Sequence, residues 1–306
     1  MIAAGTLARW RDGDLWWSFR RSKVTIVAFA VLFVFVLAAL LAPFLAPQNP
    51  FDPATLDIMD ARLPPAWRAD GLWKFPLGTD SQGRDVLSTI LYGARISLGV
   101  SLVANLLAMG IGVSLGLASG YFGGRLDDAI MRLADVQLSF PTILIALLID
   151  GLSRQLMPRE LHASLAIPLV VVAIALASWV QYARTVRGST MVEKNREYVQ
   201  AARVIGVGPA YILFRHVLPN VVGPVLVIAT LGFGGAILTE AALSFLGLGV
   251  PATHPSLGTL IRVGNEVLFS GEWWITVFPA IALVLLVLAV NLLGDWLRDA
   301  LNPKLR

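Results

Sequence analysis

The fold is decided by a run without a single charged residue, ISLGVSLVANLLAMGIGVSLGLASGYFGG, which occupies residues 96–124. A helix needs about 20 apolar residues to cross the hydrocarbon core of a bilayer, and this run is longer than that. Its residues do not alternate between apolar and polar as those of a membrane-barrel strand would. Because lipid offers no hydrogen-bond partner to the backbone, the run predicts a membrane-spanning helix.

The same pattern repeats along the chain. The composition is 57% apolar and 14% charged, with a mean hydropathy of +0.73, whereas a soluble domain has about 25% charged residues. A weaker span is expected at Ile130–Ile149, where Arg132 and Asp135 lie near the start and Pro141 interrupts. The sequence therefore predicts an all-α polytopic membrane protein with six transmembrane helices. The four other uncharged runs long enough to span are residues 24–51, 161–183, 216–239 and 273–294.

The basic residues between these spans predict the orientation. Of the 24 Lys and Arg, sixteen lie in segments on the side of the N-terminus, and five of the remaining eight are spread over the long segment after the first span. Positive residues favour the cytoplasmic side, so both termini are expected there, together with the most basic connection, residues 184–216. Basic residues that follow helix ends without interleaved aromatics indicate contact with the lipid bilayer, and no nucleic acid partner is expected.

The sequence lacks the motifs that would make this chain an enzyme or an ATP-driven pump by itself. None of the four lysines follows a glycine, which excludes a Walker A phosphate loop. Gly112-Val-Ser-Leu-Gly116 matches a nucleophile elbow, but it lies inside a predicted span with no preceding strand. Metal sites need clustered ligands. No catalytic residue, metal site or cofactor bound by this chain is therefore expected; the three histidines, His162, His216 and His254, are far apart in sequence.

Four glycines in the 96–124 run recur every fourth residue, at Gly112, Gly116, Gly120 and Gly124. This spacing places them on one helix face, where another backbone can approach closely. We expect a ridge for helix packing, with no direct functional role.

Glu240 is the one acid well inside a membrane run. Ionisable residues there are costly and usually face a bundle interior or a wet cavity. Two interpretations stay open: a group that lines the pathway or stabilises a gate, and a buried structural hydrogen bond.

A polar stretch, Glu197–Asn220, separates two uncharged runs. Residues 189–205 contain good helix formers, Gly206 and Gly208 permit a turn, and Pro209 suits the first position of a second helix. The sequence predicts two short helices that meet at a glycine corner.

The surface of this corner suits a partner. Ala201 and Ala202 are expected to leave a shallow surface beside the aromatic side chains of Tyr211 and Phe214, a combination typical of helix-in-groove binding. Pro219 is expected to mark the start of the next span. The alternative is a solvated amphipathic connector without a partner.

The spacing Gln200-Ala-Ala, three residues, Gly206, nine residues, His216-Val-Leu-Pro219 resembles the cytoplasmic EAA loop of permease subunits in bacterial binding-protein-dependent ABC importers. The family pattern begins with Glu and ends with I-x-L-P; here Gln200 replaces the Glu. His216 replaces the Ile, and this second replacement is usual in the peptide branch. The resemblance implies an ATPase-coupling loop, residues 187–220, in which the coupling residues are Glu197, Gln200, Ala201, Ala202, Gly206, Tyr211, His216, Leu218 and Pro219.

Further runs resemble the C-type permease of dipeptide, oligopeptide and nickel importers over nearly the whole chain. They include Ala42–Pro47, Pro76–Asp85, Tyr92–Ser97, Gly120–Gly124 with Asp127, Leu243–Gly249 and Asn291–Pro303. The implied fold is the six-helix transmembrane domain of a type-1 ABC importer. Its implied parts are a cytoplasmic tail (1–23), a first transmembrane helix (24–46), an extracytoplasmic loop (47–95), a five-helix permease domain (96–295) and a second cytoplasmic tail (296–306).

The resemblance also implies partners. These are a second permease subunit in a heterodimer, two cytoplasmic ATP-binding subunits that use ATP and Mg²⁺, and a periplasmic solute-binding protein facing residues 52–95 and 250–272. The protein would be a multi-pass protein of the bacterial inner membrane and form half of a pathway for di- and oligopeptides. Alternatives are the same machine importing nickel, glutathione, opines or sugars, an ion-gradient secondary transporter, and an intramembrane enzyme.

Overall fold

The helices of the chain are seen in a computed structural model that describes residues 14–52 and 56–301. The only strand-like feature in these residues is an isolated bridge between Thr79 and Asp85, so the all-α prediction is confirmed. In chain order the elements are α1 (Asp14–Arg21), α2 (Lys23–Leu40), α3 (Ala42–Leu45), a short 3-10 helix (Ile58–Asp60), α4 (Val86–Phe122), α5 (Gly124–Leu138), α6 (Thr142–Leu156), α7 (Arg159–Glu193), α8 (Glu197–Val204), α9 (Pro209–Ile212), a π-helical segment (Leu213–Val217), α10 (Leu218–Phe245), α11 (Leu257–Asn265), a second 3-10 helix (Leu268–Ser270) and α12 (Trp274–Leu301).

Five helical stretches are long and apolar enough to cross a membrane. A sixth span is present if α5 and α6 are counted together, although they meet at an angle of 91°. Pro141 lies at this break, where it has no N–H to donate and disfavours a helical conformation at Phe140. The five continuous spans are Lys23–Leu40, Val86–Phe122, Leu165–Glu193, Pro209–Phe245 and Trp274–Leu301.

The second span begins earlier than the uncharged run does. α4 starts at Val86, so the last ten residues of the segment predicted as an extracytoplasmic loop are helical. The uncharged run is bounded by Arg95, whose side chain is exposed within the helix. Asp85 caps this helix, because its Oδ2 accepts hydrogen bonds from the Ser88 backbone N–H at 2.7 Å and the Ser88 hydroxyl at 2.6 Å. Burial raises the pKa of the Asp85 carboxyl above 3.8, and the Ser88 hydrogen bonds oppose that rise.

The chain forms two compact units. The first contains the described residues up to 100 together with residues 163–167 and those from 237 onward. Within it α12 packs against α2 and α11. The segment before α4 is fixed by a buried ion pair between Arg84 and Asp80 at 2.7 Å, and by the Trp274 indole, which donates to the Thr79 carbonyl at 3.1 Å.

The second unit contains residues 101–162 and 168–236. Its α4 lies against α7 along three of the four predicted ridge glycines, Gly112, Gly116 and Gly120. A Cβ on Gly116 would lie 2.6 Å from the Ala183 carbonyl oxygen, and one on Gly120 would lie 2.7 Å from Cβ of Thr190. Absence of side chains at these positions therefore permits the approach of the two helices.

Gly124, the fourth glycine of the predicted ridge, does not belong to it. α4 ends at Phe122, so the four-residue repeat does not continue on the same helix. Gly124 begins α5 with a positive φ of 57°, and a Cβ there would meet no atom within 4 Å. Its role is to turn the chain between the two helices, which positive φ makes easy for glycine.

Buried polar side chains join three helices of the second unit. The Tyr182 hydroxyl donates to the Asn105 side-chain oxygen at 2.6 Å, and Asn105 Nδ2 donates to the Ala229 carbonyl at 2.9 Å. Gly232 leaves the space that these groups fill, because a Cβ there would lie 2.5 Å from the Tyr182 hydroxyl oxygen. Such hydrogen bonds between membrane helices add to their association.

Candidate functional site

The predicted glycine corner is present between α8 and α9. Gly206 has a φ of 81°, its N–H donates to the Arg203 carbonyl, and the Val207 N–H donates to the Ala202 carbonyl, both at 3.0 Å. This pair of bonds is a Schellman motif, which closes a helix with a left-handed glycine. Pro209 is then the first residue of α9, as expected.

The second helix of the corner is longer than predicted. α9 continues through the π-helical segment into α10 as a single span from Pro209 to Phe245, so Pro219 lies inside this helix and does not mark its start. Pro219 has no N–H to donate to the Arg215 carbonyl, and its ring crowds that carbonyl. The Leu218 N–H donates to the Leu213 carbonyl, five residues earlier in the chain, and this wider turn is a π-bulge.

The inner side of the corner is packed into the second unit. Val199 and Ala202 of α8 are buried in an apolar cluster with Ile212, Leu117 and Val186. Ala202 is only 6% exposed, so the prediction that it forms part of the shallow surface is wrong. The phase of the helix explains this, since Val199 and Ala202 are three residues apart and share the face that meets the cluster.

The outer side of the corner exposes apolar and aromatic side chains. Val204 is 87% exposed and Phe214 is 68% exposed, while Ile205 and Tyr211 are also exposed. Ala201 lies on this surface, as do the polar residues Glu197 and Gln200. Exposed apolar side chains with polar residues nearby are typical of a protein interface. We call Val204, Ile205, Tyr211 and Phe214 the corner surface.

Polar contacts fasten the corner to α4. The Lys194 ammonium donates to the Gly120 carbonyl at 2.7 Å, and the Arg203 guanidinium lies 4.8 Å from the centre of the Tyr121 ring. The approach of α4 and α7 at Gly120 brings this carbonyl within reach of Lys194. The position of the corner is therefore set by the same helix pair as the glycine ridge.

An ion pair beside this contact was not predicted. Arg187 donates from Nε and Nη2 to the two carboxylate oxygens of Asp127, at 2.5 and 2.6 Å, and the Ser119 hydroxyl donates to the same carboxylate at 2.5 Å. This two-pronged geometry is the strongest arrangement for an arginine and a carboxylate. It links α4, α5 and α7 at the helix ends that precede the corner.

Tyr198 joins the two helices of the corner. Its hydroxyl donates to Glu193 Oε2 at 2.6 Å and accepts from Asn220 Nδ2 at 3.0 Å. Asn220 Nδ2 also donates to the His216 carbonyl at 2.7 Å. The pKa of Tyr198 is raised above 10, mainly by partial burial and secondly by the hydrogen bond to Glu193.

His216 and Gln200, the two residues that depart from the family pattern, contact other residues of the corner and its flanks. The His216 ring lies 6.2 Å from the Tyr198 ring and 5.7 Å from the Tyr211 ring, centre to centre. Gln200 Nε2 donates to the Asn195 carbonyl at 3.3 Å. Within the described ranges no three metal-binding side chains come together.

Glu240 is completely buried in the first unit. Its two carboxyl oxygens accept hydrogen bonds from the hydroxyls of Ser97, at 2.8 Å, and Ser244, at 2.6 Å. The Ser97 hydroxyl oxygen also accepts from the Leu257 N–H at 3.2 Å. Within this chain Glu240 therefore has the geometry of the structural alternative, a buried hydrogen-bonding group that joins α10 to α4.

The comparison with known families agrees with the geometry. Residues 112–306 match the family described as the binding-protein-dependent transport system inner membrane component. The chain belongs to this family. As an inner membrane component it is an integral membrane part of a transporter that works with other subunits. Residues 9–65 also match the N-terminal transmembrane domain of oligopeptide transport permease C.

Individual relatives of this inner membrane component cover nearly its whole length. It is 39% identical over 293 residues to the dipeptide transport system permease protein DppC of Haemophilus influenzae, with 96% of this chain and 95% of the relative covered. It is 36% identical over 305 residues to the oligopeptide transport system permease protein OppC of Bacillus subtilis, with 100% and 93% covered. C-type peptide permeases are thus similar to it from end to end.

A solved structure supports the fold of the inner membrane component. An inward-facing conformation of the MetNI methionine ABC transporter aligns with a TM-score of 0.56 at 18% identity, covering 71% of this chain and 97% of that chain. At this identity the likeness concerns the fold alone. It confirms the prediction of an ABC importer transmembrane domain.

Proposed function

We propose that this chain is the C-type permease of an ATP-driven importer of di- and oligopeptides and forms half of the translocation pathway. Its partners are a second permease, two cytoplasmic ATPase subunits and a periplasmic solute-binding protein. The ATPases bind ATP and Mg²⁺, and this chain binds neither. Similarity along the whole chain to dipeptide and oligopeptide permeases supports the substrate class.

The observation on which the mechanism rests is the corner surface. By the positive-inside rule, the excess of basic residues supports a cytoplasmic position for residues 187–220 and for both termini. The exposed side chains of Val204 and Phe214 then insert into a groove on an ATPase subunit, in the manner of a helix docked in a groove. Closure of the two ATPases on ATP moves the corner, and with it α7 and the helix that begins at Pro209.

Val204→Glu tests this docking without disturbing the core, because Val204 is 87% exposed. The matched control is Ile58→Glu, a β-branched residue that is 85% exposed in the segment expected on the other side of the membrane. We expect Val204→Glu to abolish co-purification of the ATPase subunits and ATP-dependent uptake of a labelled dipeptide into proteoliposomes. Ile58→Glu should keep the ATPases bound.

Two outcomes would contradict the proposal. Retention of the ATPases by Val204→Glu would show that the corner surface is not their docking site. Uptake driven by an ion gradient, with no ATPase present, would show a secondary transporter. Mass spectrometry of the ligand bound to the partner solute-binding protein separates peptides from nickel, glutathione, opines and sugars.

A further inference from the structure

An apolar groove lies between α2 and α12 in the first unit. It is an open groove with a volume of about 340 Å³, and its walls are apolar side chains of both helices, among them Val27, Val31, Leu285 and Leu288. Lys23, at the first position of α2, is the one charged residue of the lining. The groove therefore has an apolar floor and a cation at its mouth. We call it the α2–α12 groove.

The length of the groove matches one leaflet of a bilayer. From Lys23 to Val31 a helix rises by about 12 Å, which is less than half of the ~30 Å hydrocarbon core. Both walls belong to helices long and apolar enough to span the membrane. The groove thus starts at the membrane surface and ends near the bilayer centre, which is the path of a single acyl chain.

Positive charge gathers at the mouth. The Lys23 ammonium has no carboxylate within ion-pair distance among the residues that the structure describes. Arg21 is exposed two residues before Lys23, and its guanidinium is stacked 4.9 Å from the centre of the exposed Trp17 ring. Phe19 holds α1 in place, since its ring lies 5.4 Å from that of Trp296 on α12.

We propose that the α2–α12 groove binds one acyl chain of an anionic phospholipid, whose phosphate is held by Lys23 and Arg21. A free phosphate would make no contact with the apolar floor, and a neutral lipid would gain little from the two cations. Asp295, exposed about one turn beyond the groove residue Leu292, opposes an anion, but two cations at the mouth outweigh it. Paired basic residues beside a membrane helix are a known basis for recognising anionic lipids.

The groove itself is tested by filling it. Val27 and Val34 lie two helical turns apart on α2 and are both 61% exposed, but only Val27 lines the groove. The full-length protein is equilibrated with phosphatidylglycerol in detergent micelles, and retained lipid is counted by native mass spectrometry. We expect wild type and Val34→Phe to retain one phosphatidylglycerol, and Val27→Phe to lose it. Equal retention by Val27→Phe, with wild-type helix content by circular dichroism, would overturn the proposal.

The headgroup is tested by removing charge. Arg21→Gln with Lys23→Gln should weaken phosphatidylglycerol binding by about tenfold or more, because each basic residue near an anionic surface contributes about 1 kcal/mol. The control, Arg125→Gln with Arg132→Gln, removes two exposed charges from α5 and should leave binding unchanged. Phosphatidylcholine should bind wild type and the Arg21/Lys23 variant equally weakly. Equal binding of both lipids by wild type would overturn the assignment of an anionic ligand.

Discussion

A methyl group added at Gly116 has no room between α4 and α7. It would lie 2.6 Å from the carbonyl oxygen of Ala183 and 2.8 Å from Cβ of Val186, whereas atoms in good contact are about 3.5–4.0 Å apart. The helices must separate by roughly 1 Å, and such overpacking costs about 1–3 kcal/mol. Alanine recovers about 0.5–1 kcal/mol relative to glycine in a helix. We therefore expect Gly116→Ala to lower the free energy of unfolding by about 0.5–2 kcal/mol.

Gly110 provides the matched control on the same helix. A Cβ there would meet nothing within 4 Å, so Gly110→Ala has the gain in helix propensity without the clash. The difference between the two variants isolates the packing cost, which we expect to be about 1–3 kcal/mol.

The assay is thermal unfolding of the purified chain in detergent, followed by the circular dichroism of its helices. For a large domain 1 kcal/mol corresponds to about 2 °C in Tm, so Gly116→Ala should melt about 2–6 °C below Gly110→Ala. Equal melting temperatures for the two variants would refute the close approach of α4 and α7 at Gly116.

Three other perturbations test polar contacts. Arg187→Gln removes both hydrogen bonds to Asp127 and should cost about 1–3 kcal/mol of unfolding free energy, because the buried carboxylate loses its cation; an unchanged Tm would contradict this. Asp85→Ala removes the cap of α4 and should cost about 0.5–2 kcal/mol, while Asp85→Asn, which keeps an acceptor, should cost less; equal losses would argue against capping. Glu193→Gln should lower the pKa of Tyr198, measured by ultraviolet titration, because a negative neighbour is removed; no decrease would exclude that contact. The raised pKa stabilises the folded chain below pH 10, and this stabilisation is lost as the pH rises through the folded-state pKa.

Local signals in the sequence predicted the elements that depend on local causes. Uncharged runs indicated the spans because lipid exposure requires them. Gly206 and Pro209 predicted the corner because one permits positive φ and the other begins a helix. The break before α6 likewise follows from Pro141.

Features that depend on distant contacts could not be predicted. Asp127 and Arg187 are 60 residues apart in sequence, so their pairing requires the packing of α5 on α7. Ala201 and Ala202 differ in exposure only because the apolar cluster selects one face of α8. The extension of α4 back to Val86 was missed because Arg95, although charged, lies inside the helix with its long side chain exposed, where its charged group can reach water.

The unbroken course of the helix that starts at Pro209 has a mechanical consequence. From Pro209 to Ala236, within the second unit, it measures about 40 Å at 1.5 Å per residue. If this helix moves as a rigid body, a small movement near its start, where Tyr211 and Phe214 lie, becomes a larger movement at its other end. A tilt of about 10° about Pro209 would displace Ala236 by roughly 7 Å, which is more than the pitch of one helical turn. The π-bulge at Leu213–Val217 includes Phe214 and closely follows Tyr211. A change of helical winding there would set how much of the movement is transmitted along the helix.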